Sequence, residues 1–363
     1  MPTPQHHFLV ALPILLVAVG VTVATVPVAR WLSFRLHAVA LPGGRNIHQK
    51  PTGRLGGLSL MAGFVVAMAI FGRGVHDWLP IVLAAVAVAG LLAADDILQL
   101  PYWTKLLIQI VVSLLVAAVF GISITYVTLP HLDLHLLWAA IPVTVIWLVG
   151  MQNSINLLDG VDGLAAGVVA IVGGVLYLAA VNRLQIDPSQ GGVILLSAAL
   201  VGSCLGFLVF NFAPARIFMG DSGSHVLGLL VGIITIVGVA KVTVALALFI
   251  PVLALALPIG DTAWAIWRRR REGVGFARAD ARHLHHQLLA LGLSARETAI
   301  TFYLVTAILG CLGLALFGHR KILAVALGLL VLGLILLGLR IWRRGGFASQ
   351  GRRGSEHHLE RPR

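Results

Sequence analysis

Apolar residues run through this chain in long blocks, broken by short polar connections. The blocks fall at about residues 8–29, 55–71, 79–94, 104–121, 136–150, 163–181, 191–210, 225–239, 242–267, 298–317 and 322–341. Most approach the ~20 residues that a helix needs to cross hydrocarbon. Inside a bilayer each segment must satisfy its own backbone amides, which favours helices over open strands. The pattern therefore predicts an all-α fold, a polytopic transmembrane helical bundle of about eleven spans. The shorter blocks predict tilted or broken helices. No internal repeat is visible.

Composition sharpens this picture. Of 363 residues, 59% are hydrophobic and 11% charged, with a mean hydropathy of +0.97. A soluble domain needs a more charged surface than that. The chain is expected to form one integral membrane domain over residues 1–344, with a disordered cytoplasmic tail at 345–363 rich in Gly, Arg, Ser and His. Met1 to His7 contain no Lys or Arg, so the first block is expected to be a retained span rather than a cleaved leader. If the N-terminus lies outside, only Arg73, Arg183, Lys241, Arg320 and Lys321 of the 26 Lys and Arg fall in outer connections. The others, and the C-terminus, are then cytoplasmic, as the positive-inside rule requires. The net charge of +12 reads as membrane anchoring and attraction of an anionic substrate, not as nucleic-acid binding. Cys204 and Cys311 lie inside apolar blocks and read as small core residues, not as a disulfide or metal framework.

The candidate chemistry lies where polar residues meet block ends. In Asn153-Ser154-Ile155-Asn156-Leu157-Leu158-Asp159-Gly160-Val161-Asp162-Gly163 the polar side chains Asn153, Asn156, Asp159 and Asp162 recur every third residue. On a helix each would neighbour the next. Two carboxylates and two amides beside hydrocarbon are costly unless something binds there. A polar connector facing water would not need that spacing. Asp95-Asp96 closes the third block; adjacent carboxylates repel, so Lys105 or a divalent cation is expected beside them. Asp221, between glycines and hydroxyls in Phe218-Met219-Gly220-Asp221-Ser222-Gly223-Ser224, suits Mg²⁺ or an ordinary helix cap. Asp261 stands at another cytoplasmic end. These acids come from four regions yet share one side, which implies one cytoplasmic-face site.

Two basic loops complete the set. Residues 268–296 carry Arg268 to Arg271, Arg282 and the run His283-Leu284-His285-His286. Three histidines without a thiol do not match a common zinc spacing. Beside arginines they suit a diphosphate, although a solvated basic loop would also explain the arginines. The first loop, Arg45 to Gly57 with His48 and Lys50, combines basic residues with Pro51 and Gly56-Gly57, as a shaped loop closing on the site would.

Taken in order, Asp95-Asp96, Asn153–Gly163, Phe218–Ser224 and His283–His286 resemble the motifs of the polyprenyl-phosphate N-acetylhexosamine-1-phosphate transferase family, glycosyltransferase family 4. The resemblance covers about residues 45–292, and is greatest to the branch that uses UDP-N-acetylglucosamine and undecaprenyl phosphate. Asp280 before the histidine run, and Arg45-x-x-His48, carry the branch assignment; Ala40 and Asn46 depart from its pattern. The resemblance implies transfer of N-acetylglucosamine 1-phosphate from the UDP-sugar donor to the polyprenyl phosphate acceptor with release of UMP, the first lipid-linked step of cell-envelope polysaccharide synthesis. It implies a Mg²⁺ (or Mn²⁺) held by Asp221 with Asn156. It further implies that Asp159, Asn211 and Phe218 line the nucleoside region, that His283, His285 and His286 contact phosphates, and that Asp95 and Asp96 orient or deprotonate the lipid phosphate. Asp95, Asp96, Asp159 and Asp162 are thus the catalytic candidates. Lys50, Asn153, Asn211, Phe218, Arg282, His283, His285 and His286 are the substrate-binding candidates. A bacterial cytoplasmic membrane location follows, with room for a homodimer. UDP-N-acetylmuramoyl-pentapeptide is the alternative donor. A secondary transporter is the alternative of another class, but its acids would sit near the bilayer midplane within repeated or broken helices.

Overall fold

The computed structural model of the protein describes residues 4–41, 51–75, 77–129, 132–185, 187–239, 255–271, 284–316, 324, 326–339 and 342. Its helices are α1 (Pro4–Arg35), α2 (Gly56–Phe71), α3 (Trp78–Leu98), α4 (Tyr102–Leu114), α5 (Ala140–Leu158), α6 (Leu164–Arg183), α7 (Gln190–Asn211) and α8 (Gly220–Val239). These are followed by α9 (Ala256–Arg271), α10 (Leu284–Ala290), α11 (Ala295–Leu316) and the apolar helix α12 (Ala326–Leu339). Among the described residues, eight helices are long and apolar enough to cross a membrane; Gly56–Phe71 and Ala326–Leu339 are apolar but shorter. The protein is a multi-pass membrane protein. The first half of the block at 242–267, residues 242–254, lies outside the described residues.

Two small sheets depart from the all-helical expectation. Strands β1 (Val39–Ala40) and β2 (Thr52–Gly53) pair antiparallel, with Val39 opposite Gly53. Strands β3 (Tyr126–Leu129) and β4 (Leu132–His135) form a hairpin with Tyr126 opposite His135. Both lie in connections outside the apolar blocks. There the chain lacks a helix-long apolar run, and strand pairing satisfies the backbone instead.

Helix α8 is the axis of the bundle. Within its apolar window 89% of residues are buried, against 28% for α1. α3 and α5 pack on α8, while α1 and α2 pack on α7, and α7 on α6. Outer helices turn large apolar side chains outward, among them Ile146, Val119 and Val209, as lipid-facing surfaces do. Polar side chains join helices internally: Gln152 donates to Ser113 at 3.3 Å, and the Trp147 indole to Thr235 at 3.0 Å. In hydrocarbon such pairs have few competing partners. The block at 136–150 becomes a helix running on to Leu158, so Asn153 and Asn156 sit on its last turns. That end of α5 meets the N-terminus of α8 and the C-terminus of α3, where the polar motifs collect.

Candidate active site

The N-terminus of α8 organises the site. A helix starts with amides that lack intrahelical partners. Here the Asp96 carboxylate, on α3, accepts from the Asp221 amide at 2.9 Å and the Ser222 amide at 3.0 Å. It therefore caps a helix 125 residues away in sequence, with a negative charge at the positive end of the helix dipole. Gly220 makes this approach possible. Its φ is +68°, and a Cβ there would collide with the Arg54 carbonyl and lie 2.5 Å from Asp96 Oδ2. The first loop also closes on this point: Phe218 donates to the Gly53 carbonyl at 2.8 Å, and the Gly56 and Gly57 amides to Phe218 and Met219, each at 2.9 Å.

Asp95 points elsewhere. Its Oδ1 accepts the Leu100 amide at 2.8 Å, and its Oδ2 pairs with Lys105 Nζ at 2.7 Å. Lys105 also pairs with Asp221 Oδ2, so one ammonium bridges α3 and α8. The other Asp221 oxygen accepts from Asn156 Nδ2 at 3.0 Å, and the same amide donates to Ser224 at 2.9 Å. The Asn156 side-chain oxygen, Oδ1, accepts no hydrogen bond among the described residues. Asn153, one turn earlier, donates to Gln109 at 2.6 Å.

The turn from Asp159 to Gly163 joins α5 to α6 beside this cluster. It is held from below by α7 and α11. Asn211 accepts the Gly163 amide at 3.1 Å and donates to the Ile217 carbonyl at 2.9 Å; Asp162 accepts the Ala215 amide at 2.8 Å. Tyr303 donates to the Gly163 carbonyl, and Arg296 to the Ala213 carbonyl. Buried His285 packs on Gly160, where an added Cβ would stand 2.6 Å from its Nε2. The Asp261 carboxylate accepts the Leu284 amide at 3.1 Å, fixing the start of α10, which carries that histidine. Among the described residues no donor meets the Asp159 carboxylate. Its carboxyl is pushed well above the usual range, first by burial and then by Asp221 and Asp96, while Arg54 opposes the shift. The arrangement concentrates negative charge, one ammonium and unused oxygen acceptors at one end of the bundle, as recognition of a cation-bound phosphate requires.

Residues 78–239 match the model of glycosyl transferase family 4. That interval runs from the first residue of α3 to the last of α8, and so contains Asp95, Asp96, Lys105, Asn156, Asp159 and Asp221. The chain is 37% identical over 284 residues to the probable undecaprenyl-phosphate N-acetylglucosaminyl 1-phosphate transferase of Bacillus subtilis (strain 168), covering 77% of each chain. The chain belongs to glycosyl transferase family 4. It is also 35% identical to the decaprenyl-phosphate N-acetylglucosaminephosphotransferase of Mycobacterium tuberculosis (strain ATCC 25618 / H37Rv), over 89% of this chain and 86% of that one. A phospho-N-acetylmuramoyl-pentapeptide-transferase of Synechococcus sp. (strain JA-2-3B'a(2-13)) is 36% identical over 75% of this chain and 82% of its own.

In this family 4 chain the structure brings together Asp95, Asp96, Asn156, Asp159, Asp221 and, across the Asp159–Gly163 turn, His285. Asp162 and Asn211 belong to the support of that turn. Asn153 faces Gln109 on α4, and Phe218 lies half-buried in the loop before α8. Lys50, Arg282 and His283 lie outside the described residues, and for His286 the description extends only to its backbone in α10. Sequence reading missed Gln109, Tyr303 and the clamping role of Arg296. Gln109 lies four residues after Lys105, on the same helix face, which is the signal that could have found it. Tyr303 lies seven residues after Arg296, again on one face.

The divalent cation that the family resemblance implies can be tested against this donor set. Asp221 and the Asn156 carbonyl are hard oxygen ligands, with no soft ligand in the cluster. Among the described residues no group of three or more His, Cys, Asp or Glu could enclose a metal ion. Hard oxygen donors suit an ion such as Mg²⁺, which takes one or two protein ligands and shares substrate oxygens; in this structure the two Asp221 oxygens are engaged by Lys105 and Asn156.

Proposed function

We propose that this protein transfers N-acetylglucosamine 1-phosphate from UDP-N-acetylglucosamine to a polyprenyl phosphate such as undecaprenyl phosphate, releasing UMP. The observation that carries the reading is the joining of Asp95, Lys105, Asp221 and Asn156 in one bonded cluster at one end of a membrane bundle. A lipid headgroup and a soluble nucleotide can both reach such an end. The names of the two N-acetylglucosamine relatives support the same donor and the same class of acceptor.

In this reaction an oxygen of the lipid phosphate forms a bond to the sugar-bearing phosphorus. The bond from that phosphorus to the UMP oxygen breaks, and UMP leaves with the electron pair. A phosphate monoester is largely dianionic near neutral pH, its second pKa being about 6, so no strong general base is demanded. The protein's share is positioning and charge neutralisation. Asp221 and Asn156 would hold Mg²⁺ (or Mn²⁺), which supplies neutralisation of the diphosphate charge. Asp95 orients Lys105, and Asp96 holds the amide end of α8, so both act through other groups. Asp159 and Phe218 line the nucleoside region. His283, His285, His286, Arg282 and Lys50 contact phosphates, and Asn153 with Gln109 borders the acceptor side. Asp162 and Asn211 keep the Asp159 turn in place.

The architecture belongs to the same reading: a single domain over residues 1–344 with about eleven spans, a tail at 345–363, the N-terminus outside, the C-terminus and active site cytoplasmic, in a bacterial cytoplasmic membrane, with room for a homodimer. Purified protein given labelled UDP-N-acetylglucosamine, undecaprenyl phosphate and Mg²⁺ should yield a lipid-extractable product and UMP in equal amounts. If UDP-N-acetylmuramoyl-pentapeptide alone gives lipid product, the donor is wrong and the transfer chemistry stands.

A further inference from the structure

An open groove of roughly 410 Å³ lies between α1 and the C-terminal end of α7. Its walls are apolar, with Val26, Trp31, Phe34 and Phe210, and Arg30 and Arg216 stand at the polar end. Trp31 is 60% exposed and Phe34 43%, so aromatic surface is offered outward where a membrane helix meets lipid. Among the described residues neither arginine forms an ion pair. An apolar channel bordered by two guanidinium groups is complementary to an amphiphile with an anionic head.

We propose that this groove binds one anionic phospholipid, its phosphodiester bridging Arg30 and Arg216 and one of its chains lying along Trp31 and Phe34. At Gly202 and Gly206, before the groove along α7, this helix lies against the Leu15 and Val19 carbonyls of α1. None of Asp95, Asp96, Asn156, Asp159 or Asp221 lines the groove, which argues for a resident phospholipid and against the reacting acceptor.

Its consequence lies in the loop from residue 212 to 219. The Arg216 amide donates to Phe210 at 2.8 Å, and two residues later Phe218 donates to Gly53, which packs on Ser33 of α1. A headgroup held by Arg30 and Arg216 therefore ties α1 to the loop that leads into Asp221. Binding and stabilisation by this lipid do not depend on the proposed transfer reaction.

The test uses full-length protein purified in zwitterionic detergent and mixed with phosphatidylglycerol or phosphatidylcholine, with retained lipid counted by native mass spectrometry. One phosphatidylglycerol per protein should be retained in preference to phosphatidylcholine, and it should raise the melting temperature. A double variant Arg30→Gln with Arg216→Gln should lower retention about thirtyfold, roughly fivefold for each basic residue near an anionic lipid. Arg271→Gln, an exposed border arginine stacked on Trp267 at 4.7 Å, should leave retention unchanged. Equal retention by wild type and the double variant overturns the site, as does an equal loss in Arg271→Gln. Arginine-dependent retention of polyprenyl phosphate but not phosphatidylglycerol overturns the assigned occupant. A second measurement keeps both arginines. Chain-brominated phosphatidylglycerol should quench tryptophan emission more than brominated phosphatidylcholine, and Trp31→Phe should remove that excess. An excess that survives Trp31→Phe also rejects the groove.

Discussion

At Asp159 a carboxylate is held among other carboxylates with no described donor, and its pKa is raised, chiefly by burial. The sign of the consequence follows from linkage. An acid whose folded pKa is raised stabilises the fold below its ordinary value of 3.8 and loses that contribution as pH climbs through the folded value. Asp159→Asn should therefore melt above wild type at neutral pH in the absence of divalent ions. The gap should close as pH is lowered toward 4. Thermal unfolding in detergent across that range checks it, and a gap of constant size would reject the electrostatic cause. Asp221 is the opposite case, with each oxygen engaged by a donor. Asp221→Asn keeps the size but removes the charge; transfer should fall by roughly 10²–10³-fold, as when an electrostatic stabiliser is lost. Full turnover in excess chelator would reject a metal role for this residue.

Among the elements, α11 acts as a clamp on the Asp159–Gly163 turn. Tyr303 reaches the Gly163 carbonyl and Arg296 the Ala213 carbonyl, so one helix holds both backbone segments that carry Asp159, Asp162 and Asn211. Tyr303→Phe keeps the ring and deletes the hydroxyl, leaving the Gly163 carbonyl without that donor. The expected cost is about 1–3 kcal/mol, read as a lower melting temperature together with slower transfer at saturating donor. Unchanged values for both would mean that the clamp holds nothing. The start of α8 is a second such junction. Gly220→Ala would place a methyl against Asp96 and the Arg54 carbonyl in a left-handed backbone, and should abolish stable protein, not merely slow it. Expression and monodispersity by size-exclusion chromatography measure that outcome.

On the scale of the whole molecule, helix directions put Gln99 and Gln287 near the acidic end and Leu137 and Ser189 at the other. All four are exposed. Single cysteines there, in a background lacking Cys204 and Cys311, should react with an impermeant reagent from opposite sides. In intact cells Leu137→Cys and Ser189→Cys should label, while Gln99→Cys and Gln287→Cys should label only after permeabilisation. The reverse pattern would invert the proposed orientation. Ser154, Ser222 and His285 are buried and would report poorly on sidedness.

The helical spans were legible in the sequence because a bilayer sets a length and a polarity that each segment must meet alone. For the same reason the motif ends, where Asn156, Asp159 and Asp221 interrupt apolar blocks, marked in the sequence a cluster that the fold brings together. The short hairpins at Val39–Gly53 and Tyr126–His135 were not legible, since pairing over two to four residues leaves little periodic signal. Nor was the division of labour between Asp95 and Asp96. Neighbours on a helix point in directions about 100° apart; one meets Lys105, and the other meets amides 125 and 126 residues later. Residue type and spacing determined that acids and amides would gather at one end of the bundle. Which carboxylate caps, which pairs and which stays without a donor was decided only by tertiary structure, because that depends on which distant donor the packing of α3, α5 and α8 brings within hydrogen-bond reach.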